Sequence, residues 1–340
     1  MKLLHGADLH LDSPLLATPE LQEALLSVPD RLAKLCRQEG CDAVLLAGDL
    51  FDGKWSSRSV TALRQAFLDM AVPVFISPGN HDYLSVDSTY LTEKWPENVH
   101  IFTSRTITSV AVPELDLRVY GAGYHSMECD ALLEGFCAEG VERYHVGLLH
   151  GDPTRVDSPY CPVTAAQVRE SGLHYLALGH IHKSGQLREG ETLCAWPGCP
   201  MGRGYDESGV KGVLIVTLED MAQTKFVPLG LPCFHDLHTS VEGLDGVLPA
   251  SGSEDYCRIT LTGESEPLNL EDLRKQYSRF PHLELKDATV PPLNIWGNAE
   301  EDSLEGAFFR ILRQHEDEAL RNRAARIARQ LLDGQEVELP

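Results

Sequence analysis

The sequence predicts an α/β (α+β) protein: two sheets packed together and flanked by helices, then a small α/β cap and a helical tail. Three observations carry this expectation. Near-continuous apolar runs of strand length recur through the first two thirds of the chain. Helical periodicity fills the gaps between the earliest runs, which argues strand–helix–strand units. Further along, β-rich runs follow one another in pairs across short turns, so parallel and antiparallel strands must mix.

The runs KLLHGA (2–7), DAVLLAG (42–48), PVFIS (73–77), HVGLLH (145–150) and YLALG (175–179) suit strands buried on both faces. Between the first two, Leu21, Leu25, Leu32 and Leu35 stand at helical spacing among polar residues. Val60, Leu63, Ala66, Phe67 and Met70 mark one side of a second helix over 59–70. TITSVAV with LDLRVYGAGY, GQLREG with TLCAWPG, and VKGVLIVTLED with AQTKFVPLG read as hairpin-like pairs. Two stacked sheets between helices bury all of these runs.

A second unit begins near Pro232. DYCRITLTG (255–263), NLEDLRKQYSRF (269–280) and HLELKDA (282–288) form a compact β-α-β pattern, which PPLN (291–294) ends. Asp302 with Glu305 three residues on marks a helix start. Leu304, Phe308 and Ile311, then Leu320, Ala324, Ile327 and Leu331, continue as one or two amphipathic helices. The expected domains are thus 1–232, 233–295 and 296–340.

Composition narrows the class. The 340 residues carry a formal charge of −22, which counts against coating nucleic acid by bulk electrostatics. It leaves room for a nuclease whose positive charge is local, including charge from bound metal ions. The nine cysteines show no CxxC pair, so free thiols are expected. No apolar run reaches the ~18 residues of a membrane helix. The start MKLLHGADLH is too early charged and too briefly apolar for a signal peptide, so a cytoplasmic protein without membrane contact is expected. A homodimer is left open.

Polar clusters stand where the apolar runs stop: ADLH (7–10), GDLFD (48–52), GNHD (79–82), LLHGD (148–152) and LGHIH (178–182). In open α/β sheets, ligands bind beyond the carboxyl ends of strands. Carboxylate, carboxamide and imidazole without thiolate suit Mn, Fe or Zn. Asp8 and His10 are two apart, as are His180 and His182, so an extended backbone would aim each pair to one side. Asp49 is placed to bridge two ions, and such a pair activates a hydroxide and clamps a phosphoryl group. Taken singly, each motif has an ordinary explanation: a surface pair, an Asx turn or a satisfied core histidine. All five, in this order and each at a strand end, do not.

The order DxH, GDxxD, GNHD, His-Gly, GHxH resembles the calcineurin-like metallophosphoesterases. The resemblance implies a β-sandwich flanked by helices and a dinuclear centre, with Mn(II) ahead of Fe or Zn. By motif, one divalent ion takes Asp8, His10, Asp49 and His182, and the other takes Asp49, Asn80, His150 and His180. His81 then faces the scissile phosphate and serves the leaving oxygen, with a hydroxide bridging the ions as nucleophile. Asp52 orients His81, and Asp82 ties down the loop. Purple acid phosphatases carry Tyr where this chain has Asp52, which argues against an Fe(III)–tyrosinate centre.

HGADLHLDSPL, LLAGDLFDG, SPGNHDYL, VYGAGY and WPGCPMGRGYDESGVKGVLIVTLE resemble the SbcD-like DNA repair exonucleases, in particular their YhaO-type branch. That implies DNA as substrate and an SbcC-like coiled-coil ATPase as partner. The arginine-rich stretch 300–340 is the candidate contact for such a partner or for a phosphate backbone, unless its helices simply pack with a solvated arginine face. Arg203 is a candidate phosphate contact; the competing reading is a salt bridge with Asp206 or Glu207. Tyr83 and His125 either line the cleft or pack. Beside the nuclease stand a phosphoesterase for a small phosphomonoester or nucleotide phosphodiester, and a non-catalytic scaffold.

Overall fold

The computed structural model describes residues 1–249 and 254–334; residues 250–253 of the expected cap and 335–340 of the expected tail lie outside them. The chain is mixed α/β and divides into two units. Among the described residues the first comprises Met1–Asp236, 254–258 and Phe280–His282, and the second 237–249, Ile259–Arg279 and 283–334.

The first unit contains two mixed six-stranded sheets. One runs in the order Gln223–Pro228, Gly212–Thr217, Lys2–Gly6, Ala43–Leu46, Val74–Ile76, Val99–Ile101, the last four mutually parallel. The other runs Thr108–Val112, Leu117–Gly121, Tyr144–His150, Tyr175–Gly179, Thr192–Trp196, Gly185–Glu189, with its central four parallel. Each of the three expected hairpin pairs is an antiparallel pair at a sheet edge.

Strand alternation sorts side chains between layers. Leu3, Leu45, Val146, Leu148 and Ala177 meet in the core between the sheets. Leu4, Val44 and Leu46 turn instead to the helices Pro19–Leu26, Val28–Glu39 and Ser57–Met70. The pattern Leu21–Leu35, read as one helical stretch, is interrupted at Ser27. The physical reason is Pro29, which has no N–H to give and whose ring would crowd the carbonyl four residues back. Gly40, at φ 65°, ends the second of these helices as only a residue without a Cβ does easily.

Phe234–Thr239, Tyr256–Leu261 and His282–Asp287 form a three-stranded sheet with Tyr256–Leu261 at its centre. In the second unit, the helices Leu304–Arg313 and Glu318–Leu332 enclose Phe309 and Ala325. The first of them is capped by Ser303, whose hydroxyl accepts from Gly306 N, one residue later than the Asp302 start. Its periodic residues Leu304, Phe308 and Ile311 face outward, while Phe309 is buried. Arg313, Arg326 and Arg329 pair with Glu300, Glu264 and Glu305. All nine cysteines are unpaired. Among the described residues no helix is long and apolar enough to cross a membrane.

Candidate metal centre

Five strand exits converge. Asp8 and His10 follow Lys2–Gly6, Asp49 follows Ala43–Leu46, and Asn80 and His81 follow Val74–Ile76; His150 ends its own strand and His180 follows Tyr175–Gly179. The Asp-x-His segment is not extended, contrary to expectation. Asp8 has φ 53° and His10 φ 46°, and Asp49 (φ 52°) and His180 (φ 88°) are likewise left-handed. Hydrogen bonds impose this geometry: Asp8 N donates to Gly48 O at 3.0 Å and His10 N to Asp49 O at 2.9 Å, stitching one strand exit to the next. Unfavourable backbone of this kind persists only where the surroundings over-determine it, and it clusters at functional sites.

The side chains form two adjoining groups. Ligand atoms of Asp8, His10 and His182 lie within 4.8 Å of one another, and so do those of Asp8, Asp49 and His150. His10 Nε2 stands 3.1 Å from His182 Nε2 and 3.9 Å from Asp49 Oδ2. His150 Nε2 is 3.4 Å from Asp49 Oδ2 and 2.9 Å from Asn80 Oδ1, while its Nδ1 donates to Ala47 O at 2.8 Å. His180 lies edge-on to His150 at 5.3 Å between ring centroids, and its backbone N–H donates to Asp8. There is no room for side chains where the loops meet: a Cβ on Gly79 would sit 2.2 Å from Asp49 Oδ1.

The electrostatics favour positive charge here. Burial drives His10 down to about 3 and His180 to about 4, so both rings are neutral and offer lone pairs. Burial would lower His150 too, yet Asp49 and Asp8 outweigh it and lift it to about 9. Burial would raise Asp49, but His150 and His10 hold it well below the usual carboxylate range. Asp49 Oδ2 is buried and has no hydrogen-bond partner. A buried carboxylate oxygen that accepts no hydrogen bond is costly, and these oxygen and nitrogen donors fit divalent cations.

Beside this cluster His81 Nδ1 meets Asp52 Oδ1 at 2.8 Å, and this bond, against the cost of burial, raises the His81 pKa. Asp52 also accepts from Ser13 Oγ at 2.6 Å and from Arg203 Nη1 at 3.3 Å. The Arg203 side chain is 8% exposed and donates to Glu207 Oε1 at 2.6 Å, so its guanidinium is engaged by two carboxylates. Asp82 lies under the loop, accepting from the backbone of Gly79, Asp49, Leu50 and Phe51 and from Tyr90. Sequence reasoning missed Glu207 as a partner of His182, whose Nδ1 it holds at 2.6 Å. Cys199 stands near the same pair, its Sγ 3.8 Å from Glu207 Oε2. The sequence offered Glu207 only as a salt-bridge partner of Arg203, a pairing the structure contains.

Residues 1–184 match the calcineurin-like phosphoesterase family. The chain is 34% identical over 239 residues to a protein of Bacillus subtilis (strain 168) named uncharacterized metallophosphoesterase YhaO, covering 64% of this chain and 57% of that one. It therefore spans little more than half of that relative's length. Among solved structures it is similar to TT1561 of Thermus thermophilus, at 15% identity and a TM-score of 0.41, over 66% of this chain and 98% of that one. A dimetal phosphatase from Danio rerio matches at 12% identity and a TM-score of 0.43, again over 66% and 98%.

Proposed function

The chain belongs to the calcineurin-like phosphoesterase family, and from that premise we propose that it is a Mn(II)-dependent phosphodiesterase acting on DNA as an exonuclease. One observation carries the metal-dependent reading: the buried Asp49 Oδ2, which makes no hydrogen bond, lies 3.4 Å from His150 Nε2 and 3.9 Å from His10 Nε2. Asp8, His10, Asp49 and His182 would hold one cation, and Asp49, Asn80, His150 and His180 the other. Bound there, the pair supplies Lewis-acid chemistry, acidifying water and neutralising phosphoryl charge. An oxygen and nitrogen donor set supports Mn(II), ahead of Fe or Zn.

The chain's own contribution is proton control. With Nδ1 tied to Asp52, His81 carries its transferable proton on Nε2, and 40% of its side chain is exposed towards solvent. As the oxygen of water bonds to phosphorus, the bond to the departing oxygen breaks and its electron pair stays on that oxygen. His81 Nε2 protonates it, and the proton released by water returns to solvent. Such proton transfer contributes roughly 10²–10⁴-fold.

DNA is supported by the segments resembling SbcD-like exonucleases. An SbcC-like ATPase is proposed to dock on the tail, whose Leu304, Phe308, Ile311, Leu331 and Leu332 are exposed apolar residues. A second reading, a small phosphomonoester or nucleotide phosphodiester as substrate, is favoured by the charge of −22. Purified protein with Mn(II) should be assayed on linear duplex DNA, single-stranded DNA and bis-p-nitrophenyl phosphate. Release of nucleotides from DNA supports the nuclease. Cleavage of the small ester alone supports the second reading, and no cleavage of either removes both.

A further inference from the structure

A cavity of about 280 Å³ opens beside His81, lined by Trp55, Tyr83, Thr89 and Met127. Trp55 is 37% exposed and Met127 49% exposed, so large apolar surface is left open next to a charged centre. Trp55 is not loose. Its ring leans on Phe51 at 6.4 Å, and Phe51 leans on Tyr90, whose hydroxyl is bonded to Asp82. The turn that bears Asp52, closed by its bridge to Lys54, leads directly into Trp55. The Thr89 hydroxyl is buried and finds no hydrogen-bond partner among the described residues.

We propose that this cavity is the subsite for the nucleoside carried on the departing oxygen, with Trp55 as its stacking wall. The inference rests on the phosphodiesterase reading and deepens it. His81 is both the group that protonates the departing oxygen and a wall of the cavity, so whatever leaves does so next to Trp55. Every nucleobase has a π-face, so an aromatic wall binds any base without reading sequence. A phosphoester whose departing group is aliphatic leaves the aromatic wall unused.

The test is a fluorescence titration of the full chain with deoxyadenosine monophosphate, beside deoxyribose 5-phosphate as the base-free control. The nucleotide is expected to quench tryptophan emission and the sugar phosphate to bind at least about 10-fold more weakly, the scale of one stacked base. Trp55→Phe, which keeps a smaller aromatic face, should lose the quench and raise the KM for single-stranded DNA of the Mn(II)-loaded protein less than Trp55→Ala does. Trp55→Ala should raise that KM roughly 10-fold, more than it lowers kcat, and Met127→Gln, at a second lining residue, should raise it in the same direction. Equal binding of the base-free phosphate, or an unchanged KM in Trp55→Ala, overturns the proposal. Failure of the parent reading looks different: neither DNA nor bis-p-nitrophenyl phosphate is cleaved, while the titration still reports on the cavity.

Discussion

His81 Nδ1 and Asp52 Oδ1 stand 2.8 Å apart, and Asp52 is held from behind by Ser13 Oγ at 2.6 Å and Arg203 Nη1 at 3.3 Å. The ring is therefore oriented by Asp52, while its backbone N–H donates to Asp49 Oδ1 at 2.9 Å and His10 packs edge-on against it at 4.9 Å between ring centroids. His81→Ala should lower turnover of bis-p-nitrophenyl phosphate by roughly 10²–10⁴-fold while leaving bound metal unchanged. Asp52→Asn should show the smaller loss. Turnover and metal content, the latter by plasma mass spectrometry, are measured on the same samples; metal lost from His81→Ala refutes the role given to it.

Asp49 has the opposite character, since its buried Oδ2 makes no hydrogen bond and lies 3.4 Å from His150 Nε2 and 3.9 Å from His10 Nε2. A cation that binds only the folded chain stabilises it by mass action, by about 2.7 kcal/mol at 100 times Kd. Adding Mn(II) should therefore raise the Tm of the wild-type chain. In Asp49→Asn the rise should vanish, although removing a buried charge need not harm the metal-free fold. A full Mn(II)-induced rise in that variant contradicts a shared carboxylate.

Asp82 is a structural counterpart within the same loop. It accepts from Leu50 N at 2.6 Å, Gly79 N at 2.7 Å, Asp49 N and Phe51 N at 3.3 Å, and Tyr90 OH at 2.5 Å. Asp82→Ala leaves these buried donors without a partner, each at a cost of about 1–3 kcal/mol. The variant should lose roughly 4 kcal/mol or more in urea unfolding. Tyr90→Phe, which removes one donor together with its need, should lose only about 1 kcal/mol. Equal losses in the two would mean that the backbone donors find other partners.

The sequence made the buried strands visible because Lys2–Gly6, Ala43–Leu46 and Tyr175–Gly179 are covered on both faces and so read as unbroken apolar runs. Val99–Ile101, three half-buried residues, and Phe234–Thr239, with His235, Asp236 and His238 among its six, carry no such run. The polar residues at strand exits were visible as types, yet their aim was not. Left-handed backbone at Asp8, His10 and Asp49 is imposed by hydrogen bonds between loops far apart in sequence. Glu207 reaches His182 across 25 residues, a contact that no local spacing encodes.

His5 makes the pH dependence of stability testable away from the metal centre. It is fully buried between the sheets, with Nε2 3.1 Å from Leu178 O and Nδ1 2.8 Å from Tyr175 OH. A carbonyl only accepts, so Nε2 carries the proton and Tyr175 donates to Nδ1; the neutral ring is satisfied. Burial lowers its pKa to about 3, against about 6.5 in the unfolded chain. Between those values the unfolded state binds the extra proton. The contribution of His5 is therefore complete above pH 6.5 and drains away as pH falls, at about 1.4 kcal/mol per unit. Urea unfolding at pH 7.5 and pH 5.0 should show a loss of roughly 2 kcal/mol from this residue. His5→Gln keeps a donor and an acceptor but cannot charge, so its stability should fall less between the two pH values by that amount. The remaining histidines titrate in both proteins and cancel in the comparison. Parallel losses in wild type and His5→Gln would show that the ring is protonated in the folded state at no cost.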